Sequence, residues 1–190
     1  MNPIVKFSGW LQEARGTELP EPTAFTLASV GPDGAPSARV VLLKDVDGRG
    51  FVFYTNFHSR KSLELLAHRQ AAMCFYWPPL GRQVRVEGVA APVTDSEADA
   101  YFATRPRGSQ LGAWASPQSQ QLASREALEK SFADAEVRFA GRDVPRPPHW
   151  SGFRVEPMKI EFWTGMSNRL HLREEFTRAG DGWQVRLLAP

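Results

Sequence analysis

Apolar residues recur along this chain in two rhythms. β-rich runs stand at 25–30 (FTLASV), 37–44 (SARVVLLK) and 51–55 (FVFYT). GPDGAP and DVDGRG separate them, and their Gly, Asp and Pro content is turn chemistry. AAMCFYW (71–77) and RQVRVEGVAAPV (82–93) repeat the plan around PPLG. Later come SGFRVEP, KIEFWT, NRLHLREEF and, beyond the turn AGDG, WQVRLL; several alternate polar and apolar residues, as half-buried strands do. Three other stretches follow the helical period. SRKSLELLAHR (59–69) opens on a Ser N-cap, and TDSEADAYFATR (94–105) opens with Thr94 and Glu97 at capping-box spacing. SREALEKSFADAEVRFA (124–140) is amphipathic and ends near Gly141. The Pro-rich connector GRDVPRPPHW is too short to set off a second domain, so residues 1–190 read as one domain. Short strands at regular spacing with few helices predict a mainly β fold with flanking helices, a closed or nearly closed antiparallel barrel.

Composition narrows the function classes. With 190 residues, 42% hydrophobic and 23% charged, the chain is long enough to bury a core. No apolar run approaches the roughly 18 residues of a membrane span, and MNPIVKFSGW lacks the charged start and apolar core of a secretory signal. A cytoplasmic chain with no membrane partner is expected. The single cysteine, Cys74, allows no intrachain disulfide and sits in an apolar run that favours burial. A net charge of +2 without an aromatic stacking motif gives no case for nucleic acid. Phosphate-loop, dinucleotide, nucleophile-elbow and zinc-protease motifs do not occur. His58, His68, His149 and His171 are scattered without metal-ligand spacing, so no metal is expected. Catalysis would therefore rest on an organic cofactor.

Four places could hold anions, each readable also as ordinary structure. Arg60 and Lys61 open a helix, where cations are unfavourable unless an anion docks on the backbone N–H groups there. Arg39 and Lys44 bracket an apolar strand and, five residues apart, face opposite sides of it. Tyr101 and Arg105 stand at i and i+4 on a helix, with Ser109 just past a Pro-bounded turn; phenol, guanidinium and hydroxyl together suit a phosphate. Finally, in RLHLR (169–173) an extended chain would put Arg169, His171 and Arg173 on one face and Leu170 and Leu172 on the other. That face spans roughly 13 Å, enough to touch two adjacent ligands.

These residues also carry a family likeness. RVVLLK, FYTNFHSRKS, RQVRVEG, YFATRPRGSQLGAWASPQSQ and the ending IEFW…NRLHLR…GWQVRLLAP, in this order, resemble the pyridoxamine 5′-phosphate oxidase family from about Pro3 to Pro190. The resemblance implies a split β-barrel homodimer that holds FMN between subunits, with residues 150–190 contributing to dimerisation. The implied reaction oxidises pyridoxamine or pyridoxine 5′-phosphate to pyridoxal 5′-phosphate with O2, releasing H2O2. Substrate C4′ would pass hydride to the flavin, and the amine's imine product would then hydrolyse. The implied FMN contacts are Arg39, Val40, Val41, Leu42, Leu43, Lys44, Tyr54, Thr55, Arg60, Lys61, Gln83, Gln118, Ser119, Trp163 and Arg173. The implied substrate contacts are Lys44, Tyr101, Arg105, Ser109, Arg169 and His171, the last two being catalytic.

Two departures bear on that likeness. Leu172 stands where the family usually has Asp, so a carboxylate that could help hold the neighbouring arginine is missing. The chain also begins without the basic extension found in some members. The alternatives are an oxidase of the same superfamily with another substrate, such as the phenazine-biosynthesis branch, and a non-enzymatic protein binding flavin or pyridoxal phosphate.

Overall fold

A computed structural model describes residues 2–190. Its contacts divide the chain into two compact units. One comprises the chain up to Phe53 with Glu64–Ala91 and Arg154–Pro190, the other Tyr54–Leu63 with Pro92–Phe153.

The first unit is built on an antiparallel sheet. Its strands are β1 (Ala24–Val30), β2 (Pro36–Leu42), β3 (Asp45–Asp47), β4 (Gly50–Asn56), β5 (Gln70–Trp77), β6 (Arg82–Pro92), β7 (Trp150–Thr164), β8 (Leu172–Ala179) and β9 (Gly182–Leu188). They run in the order β2-β1-β5-β6-β7-β4-β3, with β8 on β7 and β9 on β8, and curl into half of a barrel. β4 and β7 begin or end in the second unit.

Helix α1 (Pro3–Arg15) closes this unit's core. Asn2 caps it by accepting the Ile4 N–H at 2.9 Å, and Pro3 stands in its first turn, where no N–H is needed. Ile4, Phe7, Leu11 and Ala14 are buried at helical spacing. Phe7 meets Phe51 and Phe75 edge-on at 4.9 Å and Trp77 at 6.0 Å. Such an aromatic cluster contributes by area and by edge-to-face geometry. Helix α1 is not among the helices that the sequence pattern predicts.

SGFRVEP and KIEFWT, expected as two strands, are one strand of 15 residues, β7, running through Pro157. The neighbouring strands carry glycine where this one passes. A Cβ on Gly50 would lie 2.1 Å from the Val155 carbonyl oxygen, and one on Gly88 would lie 2.1 Å from that of Glu156. Side chains are excluded at both positions.

The second unit is mostly helical: α3 (Asp95–Thr104), α4 (Arg107–Ala115) and α5 (Arg125–Arg138), together with the start of α2 (Arg60–His68). Thr94 and Glu97 form the expected capping box on α3. Phe102, Leu111, Ala135, Phe139, Val144 and Trp150 make its core. Helix α4 corrects the expected turn after Pro106, because that proline leaves its own carbonyl to accept the Ser109 and Gln110 N–H groups and start a new helix. It also corrects the Tyr101–Arg105 pair: α3 ends at Thr104, and Arg105 is extended at φ −71°, ψ 144°. A residue before proline disfavours the helical region, which explains the break.

Candidate active site

In the second unit, two cationic groups are prepared in different ways. Lys61 lies in the first turn of α2, a turn with no acidic residue. Its ammonium donates to Gln118 Oε1 at 2.8 Å, Thr55 Oγ1 at 3.1 Å and Ser59 Oγ at 3.2 Å. Ser59 is fully buried, and its hydroxyl meets that of Ser62 at 3.1 Å, while Ser62 donates to the Asn56 carbonyl at 2.8 Å. Thr55 also donates to Gln118 Oε1 at 3.2 Å, and Ser119 follows in the left-handed region at φ +69°. Thr55, Lys61 and Gln118, far apart in sequence, are thus gathered at one helix start, with Arg60 exposed in the same turn. A helix N-terminus with two cations and several hydroxyls is chemically suited to a phosphate.

The other group is Arg105. Its guanidinium lies over the Trp150 ring at 4.7 Å and the Phe102 ring at 5.5 Å. Tyr54 and Tyr101 stack at 4.1 Å, and Tyr54 is parallel to Trp150 at 5.3 Å. The Tyr54 hydroxyl donates to the Glu97 carbonyl at 3.3 Å. Arg105 Nη1 is buried and has no hydrogen-bond partner. Burial pulls this guanidinium below its usual pKa, opposed by the nearby Tyr101 phenol. A buried, unanswered N–H of a cation costs stability unless a ligand supplies the acceptor. Ser109 lies exposed in the first turn of α4.

In the first unit, the cations on the sheet are answered by carboxylates. Arg173 forms a bidentate pair with Glu161, Nε to Oε1 at 2.9 Å and Nη2 to Oε2 at 3.1 Å, and donates from Nη1 to the Ala189 carbonyl at 2.9 Å. These Glu161 hydrogen bonds hold Arg173 charged beyond the usual arginine range. Glu161 is 5% exposed and also takes Arg85 Nη1 at 3.2 Å. Arg173 is thus held by Glu161, while Leu172 beside it is exposed. Arg39, on β2, donates to the Leu27 carbonyl at 3.2 Å, to Glu64 Oε2 at 3.2 Å, and to the Ser29 and Ser37 hydroxyls. Along the rest of that segment Val40 is exposed, Val41 and Leu42 half-buried and Leu43 buried. β2 stops at Leu42, and Lys44 is exposed, its N–H on the Val52 carbonyl at 2.9 Å. Gln83 on β6 stands opposite Tyr76 and is half-buried.

RLHLR is not an extended strand. Ser167–Arg169 form a short 3-10 turn, with Asn168 at φ +56° and Arg169 at φ +60°, and β8 begins only at Leu172. The turn closes by the Leu170 N–H on the Ser167 carbonyl at 3.2 Å and by the Met166 N–H on His171 Nδ1 at 3.1 Å. Arg169 and His171 therefore stand ahead of the strand that carries Arg173, not in one row with it. An N–H donating into Nδ1 requires that nitrogen unprotonated, so the neutral ring carries its proton on Nε2. The imidazole packs on Trp163 at 4.6 Å, while the Arg169 side chain is exposed and makes no hydrogen bond or ion pair among the described residues.

Ser59 is visible in the sequence as a helix-capping residue, whereas Trp150, Glu161 and Glu64 leave no signal there; a tryptophan or glutamate in an alternating run does not announce its partner.

A half-barrel of antiparallel strands is the frame of the FMN-binding split barrel. The chain belongs to the pyridoxamine 5′-phosphate oxidase family, a family of oxidoreductases: residues 11–139 match the model described as pyridoxamine 5′-phosphate oxidase. Residues 150–190 match the pyridoxine 5′-phosphate oxidase C-terminal dimerisation region. The chain is 57% identical over 189 residues to a pyridoxine/pyridoxamine 5′-phosphate oxidase of Myxococcus xanthus, covering all of this chain and 92% of the relative. The same identity holds for one from Rubrobacter xylanophilus, of which 87% is covered. Among solved structures, PhzG from Burkholderia lata 383, in complex with tetrahydrophenazine-1-carboxylic acid, is 36% identical with a TM-score of 0.94, covering 100% of this chain and 93% of that one. A pyridoxamine 5′-phosphate oxidase-related, FMN-binding protein from Nostoc punctiforme shares the fold, at 18% identity and a TM-score of 0.78 over 97% of this chain and 96% of that one.

Proposed function

We propose that this protein oxidises pyridoxamine 5′-phosphate or pyridoxine 5′-phosphate to pyridoxal 5′-phosphate, using FMN and O2. The observation that carries the reading is Arg105 Nη1, a buried cationic donor with no partner, beside the phenol of Tyr101. A phosphate would answer it, with Ser109 of the same unit as a further donor; the family likeness adds Lys44 to the substrate residues. The chemistry of the α2 start fits the second phosphate, that of FMN, on Arg60 and Lys61, supported by Thr55, Gln118 and Ser119. Arg39 to Lys44, Tyr54, Gln83, Trp163 and Arg173 are the further residues assigned to the flavin.

Bound FMN would supply the redox chemistry, taking two electrons from substrate C4′ and passing them to O2 as H2O2. The chain's own residues bind and orient. Arg169 would pair with the pyridine ring's polar substituents, and His171 would offer a hydrogen bond from Nε2, its ring held by Met166 and Trp163. The whole chain would act as one FMN-binding domain, paired with a second copy through residues 150–190, as the name of the matching region suggests. No described helix is long and apolar enough to cross a membrane. A lone half-buried cysteine fits the reducing cytoplasm.

The purified protein should be yellow with a flavin spectrum, bleach when pyridoxamine 5′-phosphate is added without oxygen, and release H2O2 when air is admitted. A flavin that stays oxidised and a solution free of peroxide would defeat the proposal. The likeness to PhzG keeps a reduced phenazine carboxylate as a second substrate to test in parallel. Turnover of that compound, with none of the vitamin phosphate, would move the assignment.

A further inference from the structure

We infer that Trp150 is a positioning residue that orients Arg105 for a phosphate and so sets the preference for phosphorylated over unphosphorylated ligand. This rests on the proposed reading that the anion beside Arg105 belongs to the substrate. An arginine side chain has several rotatable bonds and considerable rotamer entropy, so a directed donor needs something to hold its plane. Trp150 is suited to do this. The ring is 6% exposed and fixed by Tyr54, parallel at 5.3 Å and 2°, and by Phe102, edge-on at 5.0 Å and 70°. Its backbone is tied on both sides: the Trp150 N–H donates to the Pro147 carbonyl at 3.0 Å, and Arg146 Nη1 donates to the Trp150 carbonyl at 2.8 Å. Arg146 in turn pairs with Asp95 at 2.8 Å and Asp99 at 2.6 Å, both on α3, the helix that carries Tyr101 and Phe102.

The guanidinium lies over this ring at 4.7 Å. Aromatic carbon thereby covers one side of the cation, and the Phe102 ring stands at 5.5 Å. Nη1 is buried there with no hydrogen-bond partner, a donor left for a ligand to answer. A lysine would carry the charge without a plane to stack, so the arrangement uses what is particular to arginine. Tyr54, assigned above to the flavin, also belongs to this support, since its ring is nearly parallel to those of both Tyr101, at 4.1 Å, and Trp150, at 5.3 Å.

The test is a double-mutant cycle on the FMN-loaded protein with Arg105→Lys, Trp150→Leu and the pair. Dissociation constants are measured for pyridoxal 5′-phosphate and for pyridoxal, alongside thermal melting. Trp150→Leu should weaken pyridoxal 5′-phosphate about tenfold and pyridoxal by no more than about twofold. On the Arg105→Lys background the same change should cost less than about twofold, because the plane it orients is gone. Should Trp150→Leu fail to fold, Trp150→Phe carries the same cycle with an expected loss of about threefold. Equal weakening of both ligands, or effects that simply multiply, would overturn the inference and leave Trp150 as core. An unmutated protein that binds FMN but prefers neither ligand would overturn the phosphate reading itself, and this inference with it.

Discussion

Arg173 and Arg105 are both partly sheltered arginines, yet the two units treat them differently. On the sheet, Arg173 is held by both oxygens of Glu161 and by a backbone carbonyl, so its charge is answered within the chain. In the helical unit, Arg105 rests on Trp150 and Phe102 and leaves one donor buried without an acceptor. The first is an arrangement for holding a group still; any ligand it touches must share it with Glu161. The second, on the proposed reading, is an arrangement for receiving an anion, since an aromatic platform orients a cation without neutralising it. A count of arginines would rank these two alike, whereas their partners set them apart.

The comparison would break most clearly at Arg105. Arg105→Ala should raise the dissociation constant for pyridoxal 5′-phosphate by roughly 100-fold, about 3 kcal/mol, with FMN content unchanged, as titration of the flavin-loaded protein would show. A variant that instead unfolds while unmutated protein ignores phosphate would make Arg105 scaffold too. Glu161→Ala should act chiefly on stability. It strips Arg173 and Arg85 of a buried carboxylate, and urea unfolding should report a loss of about 2–3 kcal/mol, below the full buried-pair cost because both arginines keep contact with solvent. Lys61→Ala sharpens the contrast from the other end of the second unit. Quenching of FMN fluorescence on titration into apoprotein should give an affinity about tenfold weaker, with little change in melting temperature. The smallest effect belongs to the exposed helical pair Arg125–Glu129 on α5, where Arg125→Ala should shift stability by less than about 0.5 kcal/mol and leave both ligands alone.

How much of this was legible in the sequence depends on the range of the interaction concerned. The α2 start was readable because capping and helix-end electrostatics are local: Ser59, Arg60 and Lys61 are adjacent, and the helix lies where their pattern put it. Most strands were readable from alternation and turn residues, with ends displaced by a residue or two. Helix α1 went unread although Asn2 and Pro3 are a good start signal, and its Phe7 fills the sheet's aromatic core. Helix α4 was hidden by Pro106 and Gly108, which look like a turn and here begin a helix. RLHLR misled because alternation fits a strand equally well. What decides it is Asn168 and Arg169 in the left-handed region, a choice stabilised by closing the turn onto His171. The stack of Tyr54, Tyr101 and Trp150 was beyond reach altogether, since it joins residues 47 and 49 positions apart. Family likeness supplied most of the site list, and the geometry then distinguished residues already occupied, such as Arg39 and Arg173, from one still owed a partner.

Gly50 and Gly88 raise a different matter. Each faces a β7 carbonyl so closely that even a methyl group would collide with backbone rather than with a side chain able to swing aside. In a library sampling every residue at every position, survivors at these two codons should be as scarce as at the catalytic ones. A map of mutational tolerance would colour the seam around Val155 and Glu156 like an active site, although neither glycine carries a functional group. Tolerance data for this family thus need the backbone crossing subtracted before intolerance is taken as a sign of chemistry.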